Sequence, residues 1–238
     1  MFKLVILFVS IMVIVLTGCI PVTITGSGNV VTQEEHLTGF DWVDISHSFT
    51  VDISQGESFS VVIRIDDNLV EHLNVIKQGD TLKIGLDPTR DFNIQNATME
   101  AKVTMPELTG LDLSGSSDAN ITGFNSTENL TVDLSGSSSL VGDIEAGDIS
   151  IDLSGSSDMK LAGSAADLTI DISGSSDLDL AELPAVNARM AASGSSSAVV
   201  NASGRLDVEA SGASDIYYLG DPTLGTISTS GSSTIQPR

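Results

Sequence analysis

The feature that most constrains this chain is a phrase written seven times. Ser-Gly-x-Ser recurs around Gly115, Gly136, Gly155, Gly174, Gly194, Gly212 and Gly231, at spacings of 21, 19, 19, 20, 18 and 19 residues. The residue before each glycine is serine, and so is the second residue after it. Around this marker the apolar positions repeat as strictly. Four before the glycine stand Leu111, Val132, Ile151, Ile170, Met190, Val208 and Ile227. Two before it stand Leu113, Leu134, Leu153, Ile172, Ala192, Ala210 and Thr229, and four after it Ala119, Leu140, Met159, Leu178, Ala198, Ile216 and Ile235.

A repeat of about 19 residues cannot bury its own apolar face, so the copies must stack. The period of two on either side of the glycine is that of strands. Glycine and serine between them suit a tight corner, because glycine adopts positive φ and serine hydroxyls bond nearby backbone. Each copy therefore reads as a strand, a corner, a second strand and a variable return. The expected architecture is all-β, a β-solenoid with one coil per repeat. With strands ~4.8 Å apart, seven coils make a rod of roughly 35 Å. Aromatic residues are only 4% of the chain, which suits a narrow interior filled by aliphatics. A propeller blade would need about 40 residues and aromatic markers.

Upstream, the alternation continues without the marker. "WVDISHSFTVDI" sets Val43, Ile45, Phe49, Val51 and Ile53 among polar neighbours, and "FSVVIRI" and "DTLKIGL" do the same. Turns fall at 55–58 and 77–81. Residues 66–73 suit one helical turn capped by Asp66 or Asp67, with Leu69, Val70 and Leu73 inward.

The first residues set location. Lys3 precedes an apolar run from Leu4 to Leu16, as in an export signal. The ending "LTGC" at 16–19 resembles the lipobox of prokaryotic lipoproteins, which implies cleavage after Gly18 and a lipid on Cys19. Cys19 is the single cysteine, so the chain forms no internal disulfide. The expected organisation is a leader over 1–18, a tether over 19–25, an N-terminal β part of the solenoid over 26–108 and the regular repeats over 109–238. The protein would be exported and held at a membrane through Cys19.

With 32 acidic against 10 basic residues the formal net charge is −22, which argues against nucleic acid as a partner. The acids are patterned. Three before the glycine stand Asp112, Asp133, Asp152 and Asp171, then Ala191, Glu209 and Ser228. Three after it stand Asp118, Ser139, Asp158, Asp177, Ser197, Asp215 and Thr234. In a solenoid these form two outward rows, and in water each neighbouring pair repels by only ~1 kcal/mol. No cofactor is expected, except that carboxylate, serine and backbone oxygens are calcium-type ligands. Against a calcium site stands the role of aspartate as a turn former that keeps a surface soluble. Acid–base catalysis needs one carboxylate pair in a cleft, whereas these acids repeat along a surface.

His36, His47 and His72 lack zinc spacing and read as surface or edge residues. Tyr217 and Tyr218, with Leu219, are a rare aromatic pair that would cap the last coils or offer a contact patch. Asn96, Asn120, Asn125, Asn129 and Asn201 begin Asn-x-Ser/Thr sequons, which act as surface acceptors only in a glycosylating host.

The order of "GSGNVVTQEE" (26–35), "FDWVDISHSFTVDISQGESFSVVIRID" (40–66), "LKIGL" (82–86) and "MPELTGLDLSGSSD" (105–118) resembles the auto-transporter adhesin head, or GIN, domain family. The resemblance implies a right-handed parallel β-helix in a cell-surface or periplasmic setting, and it brings no catalytic residues. The expected activity is non-catalytic binding of a glycan or an envelope protein. The alternatives are a carbohydrate-active enzyme on the same fold and a structural rod that assembles with itself.

Overall fold

The computed structural model describes residues 22–238. The leader over 1–18 and the acylation expected at Cys19 lie outside the described residues. Two sheets, of ten and eleven strands, enclose one apolar core, and a two-stranded sheet stands beside them. The all-β solenoid expected from the repeat is what forms. Each Ser-Gly corner carries the chain from the ten-stranded to the eleven-stranded sheet. Gly110–Leu113 leads to Asp118–Asn125, Leu130–Leu134 to Ser139–Glu145, and so on to Thr223–Thr229 and Thr234–Pro237.

Successive coils pair in parallel with like positions in register. Leu111 lies beside Val132, Val132 beside Ile151, and the line continues through Ile170, Met190 and Val208 to Ile227. Stacking, rather than any single coil, buries these aliphatics. Positions from Leu111 to Ile216 in all three apolar columns are buried. The variable spacing was expected in the returns. The structure also places it in bulges of the second strand, between Ile121 and Phe124, Lys160 and Ala162, and Asp179 and Pro184. One extra residue is accommodated at each of the first two places and three at the last, each by a local kink.

One further coil precedes the seven. Trp42–Ile45 and Thr50–Gln55 pair in parallel with the first marked coil, Gly110–Leu113 and Asp118–Asn125. His47 takes the glycine position with φ 73°, and Phe49 takes that of the buried serine. The chain then leaves the array. Thr81–Leu86 and Met99–Met105 stack on the outer side of this coil. Val30–Glu35, Ser60–Asp66 and Leu73–Gln78 join by antiparallel pairing. Together they close the N-terminal end, with Phe40, Leu69 and Leu86 buried beneath them.

Three local expectations change. The tether expected over 19–25 ends early, because Val22–Thr25 is a strand paired with Phe92–Gln95. The turn over 66–73 is a 3-10 helix, Asp67–His72, whose N-cap Asp66 makes no capping bond. Of its three expected inward residues, Leu69 alone is fully buried, while Val70 and Leu73 are half-buried. Asp66 is itself buried, and its carboxylate accepts from the backbone N–H groups of Gly28 and Thr98, both at 2.7 Å. It ties three segments of the closure together. Finally, Tyr217 and Tyr218 do not cap the array. They stand on Asp215–Leu219, and Gln236 and Pro237 of a further coil lie beside them.

Candidate functional site

The corners resolve first, since they hold both acidic rows in place. The seven glycines have φ between 71° and 80°. In each corner from Gly136 onward, the residue after the glycine donates its N–H to the preceding coil's glycine carbonyl at 2.7–2.8 Å. A Cβ on Gly136, Gly155, Gly174, Gly194, Gly212 or Gly231 would lie 2.3–2.4 Å from that same carbonyl oxygen. Beneath, Ser117, Ser138, Ser157, Ser176, Ser196 and Ser214 are buried, and each donates its hydroxyl to the carbonyl of the serine three residues back, at 2.8–3.1 Å. These serines are spent on architecture.

The row before the corner runs along the ten-stranded sheet. Its order in space is Lys83, Asp44, Asp112, Asp133, Asp152, Asp171, Ala191, Glu209, Ser228. Asp44 and Lys83 were missed in the sequence because their strands lack the glycine marker. Lys83 Nζ lies 2.8 Å from Asp44 Oδ2, and Trp42 Nε1 donates to Asp112 Oδ2 at 2.8 Å. The bond to Asp44, then its charge, raises the Lys83 pKa. Further along, no cation intervenes. Desolvation, then the charge and hydrogen bond of Asp112, then the charge of Asp152, push Asp133 up to about 6. Desolvation first, then Asp171, raises Asp152. Asp112 and Asp133 are register neighbours, but they belong to an open ladder on a sheet face rather than to a cleft.

The row after the corner runs along the eleven-stranded sheet, with Asp118, Asp158, Asp177 and Asp215 all exposed. Asp158 and Asp177 are register neighbours, while Ser139 and Ser197 separate the others. Thr234 donates its hydroxyl to Asp215 at 2.7 Å. Two residues further along, Lys160 Nζ lies 3.5 Å from both Asp179 and Glu182. An open hollow of about 260 Å³ lies over Val141, Lys160, Asp179 and Val199.

The structure therefore keeps the two rows on separate sheets. Among the described residues, no three His, Cys, Asp or Glu side chains gather where they could hold a metal ion. The arrangement offers a run of four carboxylates at strand spacing, Asp112 to Asp171, on one sheet and an interrupted row on the other, which suits contact with an extended, hydroxyl-rich or cationic surface.

The histidines are not all peripheral. His36 is exposed, whereas His47 and His72 flank Phe92, at ring distances of 6.2 and 5.1 Å. Ser46 Oγ lies 2.9 Å from His47 Nδ1, and the Leu86 N–H donates to the same nitrogen at 3.3 Å. Burial lowers the His47 pKa, so this ring serves the corner as a neutral acceptor. Arg64, Arg90 and Arg205 pair locally with Glu100, Asp87 and Asp207. Among the described residues no helix is long and apolar enough to cross a membrane.

The fold is shared with solved structures. A "putative adhesin" from Bacteroides fragilis superposes with a TM-score of 0.83 at 23% identity, over 90% of this chain and 100% of that one. A "putative lipid binding protein" from Parabacteroides distasonis gives 0.72 at 22%, over 91% and 99%. A "putative adhesin" from Parabacteroides merdae gives 0.69 at 18%, over 91% and 99%. No curated protein matches the sequence. The profile of the family described as "Putative auto-transporter adhesin, head GIN domain" matches residues 39–222, from the unmarked first coil to the turn just before Thr223–Thr229 of the last, and the chain belongs to that family.

Proposed function

We propose that this protein is a lipoprotein of the cell envelope whose solenoid is a non-catalytic, adhesin-like module for a glycan or an envelope protein. The observation that carries the reading is the family match over residues 39–222 on a molecule whose patterned acids lie along open sheet faces. The faces of Asp112, Asp133, Asp152 and Asp171, and of Asp118, Asp158, Asp177 and Asp215, are the contact surfaces in this reading. Repetition supports binding, since a long partner meets the same group on every coil and weak contacts add by avidity. The lone Cys19 within "LTGC" supports the anchor.

A glycan array and an envelope-extract pull-down with residues 20–238 test the binding. Saturable capture that weakens when the eight aspartates become asparagine supports it. Release of cleaved glycan would replace it with the enzyme reading, and silence in both assays would remove the binding role. Incorporation of labelled fatty acid, lost in Cys19→Ala, tests the anchor.

A further inference from the structure

The two ends of the solenoid differ. The N-terminal end is closed by antiparallel strands and the buried Leu69. At the other end, Thr223–Thr229 and Thr234–Pro237 are the outermost strands of the two sheets, and among the described residues no strand lies beyond them. Leu224 and Ile227 continue the interior columns of Leu206 and Val208, yet they are 48% and 39% exposed where their neighbours are fully buried. The Thr223–Thr229 edge has no proline and no charge, the devices that normally protect an open edge.

Charge sets this coil apart as well. Residues 222–238 contain no Asp or Glu, in a chain that carries 32. The coil before it has Asp207, Glu209, Asp215 and Asp221. At the acidic-row positions the last coil instead has Ser228 and Thr234.

We propose that this open end docks the same end of a second copy. Two chains of net charge −22 repel across acidic faces, and the terminal coil is where that repulsion is least. Unpaired edges are self-complementary. A twofold axis in the plane of the last coil, perpendicular to its strands, sets each edge antiparallel to its own copy. That arrangement covers Leu224, Ile227 and Ile235 and continues the ten-stranded sheet across the junction, while Pro237 lies on the edge of the other sheet. Because the N-terminal end is closed, assembly stops at a dimer rather than a fibre. The inference stands independently of the glycan or envelope ligand.

Sedimentation of residues 20–238, which retain every described strand, tests it over a concentration series at low and high salt. The expected result is a monomer–dimer equilibrium that tightens with salt, because salt screens the overall repulsion. Ser228→Asp with Thr234→Asp restores acids that earlier coils accommodate at the same positions, so the fold should persist by circular dichroism. The pair should weaken dimerisation by about tenfold or more, as should Leu224→Lys. Asp171→Ser, in mid-array, should leave it unchanged. A monomer at every concentration, oligomers beyond two, or a dimer indifferent to both end variants would each overturn the proposal.

Discussion

Each corner glycine meets two demands, a positive φ and a carbonyl of the coil beneath, and the two can be separated by experiment. Gly155 has φ 78° and a hypothetical Cβ 2.4 Å from the Gly136 oxygen, whereas Gly123 has the same φ with open space around it. Gly123→Ala should cost about 1–2 kcal/mol, the strain of the left-handed region alone. Gly155→Ala should cost about 2–4 kcal/mol, because the clash adds to the strain. Urea midpoints of the two variants give the comparison, and equal losses would contradict the stacked corner. Asp133 makes a prediction about pH. Its folded-state pKa of about 6 lies above the ordinary 3.8. The folded chain then holds the proton more tightly, so this group's contribution is complete below pH 3.8 and lost as pH rises through 6. Asp207, held down to about 2 first by its hydrogen bonds from Arg205, has the opposite sign and loses its contribution as pH falls from 3.8 towards 2. Stability should therefore rise between pH 7 and 5. Asp133→Asn should raise the midpoint at pH 7 and flatten that rise; an unchanged slope would place the repulsion elsewhere.

Among elements, the closure of the N-terminal end depends on Asp66, which accepts two backbone N–H groups from segments far apart in sequence. Asp66→Ala leaves both donors without this partner and should cost about 2–4 kcal/mol. In a stacked array that loss should be local. Hydrogen exchange should quicken in Val30–Glu35, Ser60–Asp66 and Met99–Met105 while Ile149–Leu153 stays protected; uniform quickening would mean that the closure and the coils unfold as one. The marked coils were legible in the sequence because one short phrase encodes corner, core and row together. The first coil was harder to find. His47 and Phe49 replace its glycine and serine, yet Val43, Ile45 and Val51 keep the offsets of four before, two before and four after. Those offsets were the available signal, and with them come Asp44 and the Lys83 that neutralises it. The closure left no such trace. Antiparallel strands stacked outside an earlier coil are set by long-range pairing, and Asp66 looked like a helix cap because its true donors are 38 and 32 residues away.

For the whole molecule, the repeated phrase is architecture, and contact with a partner is left to what the coils display. The residues of "SGSS" bond one coil to the next, the aliphatics fill one core, and the outward rows and the terminal coil face solvent. A coil should then be removable as a unit. Deleting residues 156–174 joins Gly155 to Ser175 and restores the corner sequence with one coil fewer. Denaturant unfolding of this deletion, followed by far-ultraviolet circular dichroism, tests the claim most directly. The account predicts a folded all-β protein with a cooperative transition, shorter by ~4.8 Å along its axis in solution scattering. A deletion that leaves the chain unfolded would contradict it.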